Sequence, residues 1–307
     1  MEIRIGTGGW AYFNVSNYLR TDNLTAYSKA FDYVEVNSTF YEIPSLELVT
    51  SWRKRVPEEF EFSVRCHGSI THQYLLEPVP EALDNFEIMT KICRQLRATY
   101  LHILTPSQLE FSHRKIEAIR DFFSAVDTTE VRLVWEPRSL GAKIDRGVVK
   151  IMEDYNIVHC VDLSRQTPLR ESDELYSRLF GKGRHTLYQF TDSELKEINQ
   201  KARELKARKI MLAFHGIRMY KDAARLKVFL KSGSFPRVTK KLGLESLQEV
   251  LMEDTKFPIT KKELLEKQGW KVIDLAETER VHASYYLEIL PERTYENVEE
   301  IIKEAKN

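Results

Sequence analysis

Short apolar strands recur through the first 230 residues, and they end in charged or polar side chains, with helical stretches between most of them. The clearest is Tyr33-Val34-Glu35-Val36-Asn37. Successive side chains of a strand point to opposite faces. Val34 and Val36 therefore share one face, while Tyr33, Glu35 and Asn37 share the other. In Phe60–Cys66, Ser63 and Arg65 oppose Phe62 and Val64; in Val131–Glu136, Arg132, Val134 and Glu136 oppose Leu133 and Trp135. Charged groups are seldom buried without partners. A sheet with an apolar face turned to helices and a second, charged face implies a barrel whose interior opens at a polar mouth.

Eight strands are predicted: Ile3–Thr7, Tyr33–Asn37, Phe60–Cys66, Tyr100–Leu104, Val131–Glu136, Ile157–Asp162, Leu175–Phe180 and Lys209–Phe214. Helices are predicted at Leu24–Phe31, Leu46–Arg55, Pro80–Arg97, Gln108–Ala125, Asp145–Tyr155, Asp192–Ala207 and Tyr220–Lys231, and Leu163–Glu174 reads as an irregular loop. Strand-helix alternation implies parallel strands. The fold class is α/β, and eight units in this length match a TIM-type (β/α)8 barrel over residues 1–231. A doubly wound open sheet is the alternative, but no Gly-x-Gly-x-x-Gly turn opens a helix. Gly233-Ser234-Phe235-Pro236 marks a boundary, and 235–307 reads as a small helical domain of three or four short helices. Thr260 and Glu263 there have capping-box spacing.

Composition excludes some functions. Lys+Arg and Asp+Glu are both 46, so no bulk field draws the chain to nucleic acid or anionic membrane. No apolar run reaches the roughly 18–20 residues of a membrane span, and the opening Met-Glu-Ile-Arg-Ile-Gly is a strand, not a signal peptide. The expectation is a cytoplasmic protein with no membrane contact. Cys66, Cys93 and Cys160 lack metal-ligand spacing and read as reduced, buried thiols.

Active sites of such barrels form at the C-terminal strand ends. The inward residues there are Glu35 and Asn37 on strand two, Arg65 on strand three, Glu136 with Arg138 on strand five, Asp162 on strand six, Arg178 on strand seven and His215 after strand eight; His102 lies on strand four. Guanidinium forks bind carboxylate or phosphate, and a carboxylate held among them can act as acid or base. Glu35, Glu136 and Asp162 are the catalytic candidates, with Asn37, Arg65, Arg138, Arg178 and His215 as binding candidates. Trp10, Tyr41 and His72 join them from loops, the aromatics to stack on a sugar or base. Arg4 and Arg132 sit near strand starts and read as structural. Glu35, Glu136, Asp162 and His215 carry hard-metal donors, but no His-x-His or His-Glu-x-x-His spacing occurs and arginines crowd them. No metal and no cofactor is assigned. Neither a Walker loop nor a Gly-x-Ser-x-Gly elbow is present.

Several of these motifs together resemble the DUF72 (YecE-like) family. They are Gly6-Thr7-Gly8-Gly9-Trp10, Val34-Glu35-Val36-Asn37-Ser38-Thr39-Phe40-Tyr41, Trp52-Arg53 with Val56-Pro57, Phe62-Ser63-Val64-Arg65, Ile70-Thr71-His72, Trp135-Glu136-Pro137-Arg138 and Leu175-Tyr176-Ser177-Arg178. The resemblance covers about Met1–Lys231 and implies a TIM-barrel-like fold, sometimes described as sugar-isomerase-related, with no settled activity. Two segments depart from it: Arg178-Leu179-Phe180-Gly181 lacks the family's histidine, and Phe214-His215-Gly216 stands where the family has Phe-Asn-Asn. In the tail, Phe257–Leu264 and Leu290–Tyr295 resemble the small helical DUF2795 type, which implies an accessory module for a protein partner.

The leading functional expectation is an enzyme performing acid/base chemistry, isomerisation or hydrolysis, on a small anionic or sugar-like ligand. A nucleic-acid-processing or nucleic-acid-binding protein is the first alternative, disfavoured by the zero net charge. A non-catalytic ligand-binding barrel is the second.

Overall fold

The computed structural model describes residues 1–13, 22–138, 145–183 and 186–306. Strands β1 (Glu2–Thr7), β2 (Tyr33–Val36), β3 (Glu61–Arg65), β4 (Tyr100–Thr105), β5 (Arg132–Pro137), β6 (Val158–His159), β7 (Glu174–Leu179) and β8 (Lys209–Phe214) form one sheet in the order β6-β5-β4-β3-β2-β1-β8-β7. Every pairing in it is parallel. The two outer strands then meet: Val161, just past β6, bridges Ser177 of β7, and the Arg178 amide donates to the Val161 carbonyl at 3.0 Å. The sheet thus closes into the expected barrel.

Helices α1 (Asn23–Ala30), α2 (Leu46–Lys54), α3 (Pro80–Leu96), α4 (His113–Ala125), α5 (Arg146–Asp154) and α6 (Asp192–Glu204) alternate with the strands, and α7 (Met219–Ser232) follows β8. No helix joins β6 to β7, as the polar, Pro-containing loop implied. Three boundaries differ from the sequence reading by more than two residues, each for a local reason. Helix α4 starts at His113 because Ser112 caps it, accepting from the Lys115 amide at 3.3 Å. Helix α6 stops early, and Lys206 beyond it adopts a left-handed φ of 54°. Strand β6 is two residues long because the chain leaves β5 after His159 to reach β7.

The chain forms two compact units, Met1–Leu179 with Ala202–Phe214, and Phe180–Lys201 with His215–Asn307. This cut differs from the division at 231–235 read from the sequence. In the second unit the tail is tied to the segment 180–201: the Val272 amide donates to Gln189 at 3.0 Å, and Arg280 reaches Asp192 at 2.8 Å. Four tail helices form as expected, α8 (Gly243–Met252), α9 (Lys261–Gln268), α10 (Ser284–Leu287) and α11 (Val298–Glu304). The Thr260–Glu263 capping box starts α9. Two small antiparallel sheets were not expected: β9 (Ile259–Thr260) with β12 (Thr294–Tyr295), and the hairpin β10 (Val272–Ala276) with β11 (Glu279–His282). Leu247, Leu251, Leu264, Ile273, Leu287 and Ile301 form this unit's apolar centre. No helix among the described residues is long and apolar enough to cross a membrane.

Inside the barrel, strand parity holds. Tyr33, Tyr100, Val134, Tyr176 and Met211 cluster from five strands, whereas Trp135 points the other way, 5.9 Å from Phe123 of α4. At the N-terminal end, Glu61 pairs with Arg4 (3.1 Å) and Lys209 (2.7 Å), and Glu174 with Arg132 (2.8 Å). Gly6 gives Tyr33 its room, since a Cβ there would lie 2.1 Å from the Tyr33 carbonyl oxygen. Gly6→Ala should therefore force β1 and β2 apart and cost at least about 1–3 kcal/mol. Urea denaturation measures it, and an unchanged midpoint would show that Gly6 does not set that spacing.

Candidate functional site

Site residues gather where β2 to β7 end. Glu35 is fully buried on β2, and Arg178 on β7 is 2% exposed. Arg178 Nη2 lies 3.1 Å from Glu35 Oε1, and Nη1 donates to Glu136 Oε2 at 2.7 Å. The guanidinium thus spans from strand two to strand five. Glu136 Oε1 accepts from Arg138 Nε at 2.8 Å, while Oε2 also faces His102 Nε2 at 3.3 Å and Cys160 Sγ at 4.0 Å. Beside Glu35, the Tyr176 hydroxyl lies 2.9 Å from Oε2, within hydrogen-bond distance. Taking these charges out of water is costly unless each is paired, and removing one partner of such a pair typically costs about 3–5 kcal/mol.

Environment sets the protonation states. Burial works against an ionised Glu136, yet Arg178, His102 and Arg138 hold its carboxyl well below the usual range. Burial, then the charge of Arg178, pulls His102 down to about 4 despite the neighbouring carboxylates, so it is neutral at pH 7. Burial pushes the Cys160 thiol well up, and it keeps its proton. For Arg178, burial opposes the charge, but Glu35 and Glu136 outweigh it and raise the group above its ordinary value.

Arg65 differs from these. It is 8% exposed, and it donates to Asn37 Oδ1 at 2.7 Å. Its guanidinium lies 3.8 Å from the centre of the Phe40 ring, a cation–π contact. No carboxylate pairs with it among the described residues, and its buried Nε has no hydrogen-bond partner. Burial, and then Arg178, lowers its pKa from the ordinary arginine value. The seat is built locally. Asn37 begins a single 3-10 turn, Ser38–Phe40, that carries Phe40. Gly68 leaves space for that ring, as a Cβ there would come within 3.2 Å of it. His72, on the π-helical turn Ser69–Gln73, meets the Phe40 edge at 4.9 Å, and exposed Tyr41 meets it at 5.0 Å. Burial, then Arg65 and Arg138, lowers the His72 pKa.

The structure therefore brings together Glu35, Asn37, Arg65, Glu136, Arg138 and Arg178, with His72 and Tyr41 joined through Phe40. Trp10 packs edge-on against Trp52 at 5.4 Å. Asp162 turns into its own loop, where Oδ1 accepts from the Ser164 amide (2.9 Å) and hydroxyl (2.6 Å) and Oδ2 faces Arg165. His215 belongs to the second unit and stacks on Phe180 at 4.9 Å. Sequence reasoning gave His102 no role and placed neither Cys160, read there as a reduced buried thiol, nor Tyr176 among the site residues. The inward parity of strands four and seven was the available signal for His102 and Tyr176. His102, Glu136 and Cys160 place donor atoms within 4.8 Å of one another, close enough for a metal ion. There a cation would meet Arg178, 2.7 Å from the same Glu136 oxygen, and a protonated thiol. The donor set fits an ion-pair network better than a metal centre.

The neutral His102 makes a pH prediction. Its folded value of about 4 lies below the ordinary 6.5. Between those values the unfolded chain binds a proton that the folded chain does not, so stability falls as pH drops from 6.5 to 4. His102→Gln should remove roughly 3 kcal/mol of that acid sensitivity, leaving the share from His159, which burial also lowers to about 4. Chemical denaturation at pH 7 and pH 4.5 tests it; identical losses in both proteins would refute the assignment.

Residues 4–240 match the family described as "Protein of unknown function DUF72". The UPF0759 protein YecE of Escherichia coli strain K12 is 31% identical over 64 residues, which is 21% of this chain and 24% of YecE. The matched segment thus spans about a quarter of that relative. A DUF72 family protein from Thermotoga maritima has a crystal structure that aligns with a TM-score of 0.60 at 20% identity, over 76% of this chain and 100% of that one. One from Enterococcus faecalis aligns with a TM-score of 0.59 at 17% identity, over 75% of this chain and 98% of its own. These structural likenesses establish the barrel alone. The match over residues 4–240 establishes more, that the chain belongs to the DUF72 family.

Proposed function

We propose that the mouth formed by Glu35, Arg65, Glu136, Arg138 and Arg178 is an acid/base site for a small anionic or sugar-like substrate, performing isomerisation or hydrolysis. One observation carries the reading: Arg65 is a nearly buried cation that is held on an aromatic face and has no carboxylate partner among the described residues. Ion pairs elsewhere in the barrel account for their own charges, whereas Arg65 is poised for a charge that arrives from outside. Arg138 is the second anion contact; its side chain is 45% exposed. Glu136, ionised and partly accessible, is the base. Glu35 is fully enclosed and acts through Arg178 and Tyr176, not by touching substrate. The exposed ring of Tyr41 offers an apolar face to a sugar. Asp162 and His215 have other partners in their own segments and are not given steps. The tail helices, with their DUF2795-like pattern, fit an accessory module for a protein partner.

Phosphate or sulfate is the simplest probe. Either should raise the melting temperature of the wild-type protein, with a gain near 2.7 kcal/mol at about 100 times Kd. Arg65→Ala should abolish that gain and cost little stability without ligand, because no buried carboxylate loses its partner. A wild type that ignores both anions, with a large loss in Arg65→Ala, would identify Arg65 as a structural cation and end the proposal.

A further inference from the structure

Three hydroxyls close a triangle inside the barrel: Tyr33 to Ser63 at 2.7 Å, Tyr33 to Tyr176 at 2.5 Å, and Ser63 to Tyr176 at 2.7 Å. A fourth contact joins Tyr176 to Glu35 Oε2 at 2.9 Å. All four residues are fully buried. Each hydroxyl carries one proton, so the three hydroxyls bring one proton fewer than the contacts require. Neither phenol ionises: burial inside the barrel pushes Tyr33 and Tyr176 well up. If Glu35 is a bare carboxylate, Tyr176 commits its proton to it. Two protons then serve three oxygen pairs, and one pair faces without a hydrogen between. Buried polar atoms left so are costly.

A proton on Glu35 Oε2 removes the deficit. The acid donates to Tyr176, Tyr176 donates around the triangle, and every contact holds a proton. The carbonyl oxygen of the acid still lies 3.1 Å from Arg178 Nη2. The lengths agree, since Arg178 is 2.7 Å from Glu136 but 3.1 Å from Glu35, and charge-assisted bonds are the shorter kind. We propose that Glu35 carries a proton in the resting protein and donates it to the Tyr176 hydroxyl, as the proton-bearing partner of an ionised Glu136 across Arg178.

This rests on the reading of the mouth as an acid/base anion site and divides the roles within it. Every strand around Glu35 bears on the balance. Arg65 on β3 and Arg178 on β7 favour the ionised form, while Glu136 on β5 and the hydroxyls of Tyr33, Ser63 and Tyr176 favour the proton. His102 on β4 and Cys160 past β6 are uncharged at neutral pH, and Gly6, Met211 and Ala213 on β1 and β8 do not titrate. With Glu35 neutral, the guanidinium groups of Arg65, Arg138 and Arg178 share the one carboxylate of Glu136 among the described residues of the mouth, an excess that an anionic substrate would offset.

Infrared difference spectroscopy on the full chain tests it. At pH 7 the wild type should show the carbonyl stretch of a protonated carboxylic acid, absent from Glu35→Gln. That variant keeps a donor for Tyr176 and a carbonyl oxygen beside Arg178, and should melt within about 3 °C of wild type. Tyr33→Phe leaves two hydroxyls for two contacts, so its band should vanish at lower pH than the wild-type band; this holds the test open if Glu35→Gln does not fold. No Glu35-dependent band at pH 7, or a Tyr33→Phe band that titrates with the wild type, overturns the proposal. The anion reading is separate. A missing band with phosphate stabilisation intact removes only the proton, and a band without phosphate stabilisation removes only the anion site.

Discussion

Arg178 is the residue on which barrel and site both depend. Its amide donates to Val161 and helps join the first and last strands of the sheet. Its side chain, almost wholly enclosed, reaches Glu35 and Glu136 on two other strands. A guanidinium that deep is tolerable only with both neighbours in place, because desolvating it costs several kcal/mol that paired groups must offset. The residue that closes the ring therefore also fixes where two carboxyl groups sit. A barrel with a hydrocarbon interior would close as well, and would place nothing.

The two polar layers of the interior show why one end is a site and the other is not. At the N-terminal end, Glu61 balances Arg4 and Lys209, and Glu174 takes Arg132 with the Tyr100 hydroxyl. Those groups fill the barrel floor and find their partners nearby. At the other end, Glu136 collects Arg178, Arg138 and His102, while Arg65 has a ring and an amide for company. Similar side chains are present at both ends. Only the upper layer holds a cation whose partner the described residues do not supply.

Much of this was legible in the sequence, because period-2 alternation is a direct consequence of strand geometry. Parity alone assigns Glu35, Arg65, Glu136 and Arg178 to one face and Trp135 to the other. Asp162 was harder. It sits where strand six was expected to continue, but that strand ends at His159 and the carboxylate caps the following turn. An Asp two residues before a serine competes for local amides in this way, and parity alone cannot foresee it. The tail hairpin was missed because Val272–Ala276 is short and lies among helices, although Val-Ile-Asp-Leu carries strand-forming residues. The inclusion of Phe180–Lys201 in the tail's unit depends on single long-range bonds, such as Arg280 to Asp192, which leave no periodic trace.

Glu136 poses the remaining chemical question. Three partners hold it ionised, and a carboxylate held so low is a weak base. Of those partners, Arg178 is locked by Glu35 and His102 is enclosed, whereas Arg138 reaches from a half-exposed position on the same strand end. In the proposed site, an anion drawing Arg138 toward itself would take a cation from Glu136 Oε1 and bring a negative charge near. Both changes raise the carboxyl's proton affinity. Substrate binding would then activate the base, and an empty mouth would keep it quiet. Arg65 is suited to receive the anion first, because Phe40 and Asn37 hold its guanidinium in place before any ligand arrives.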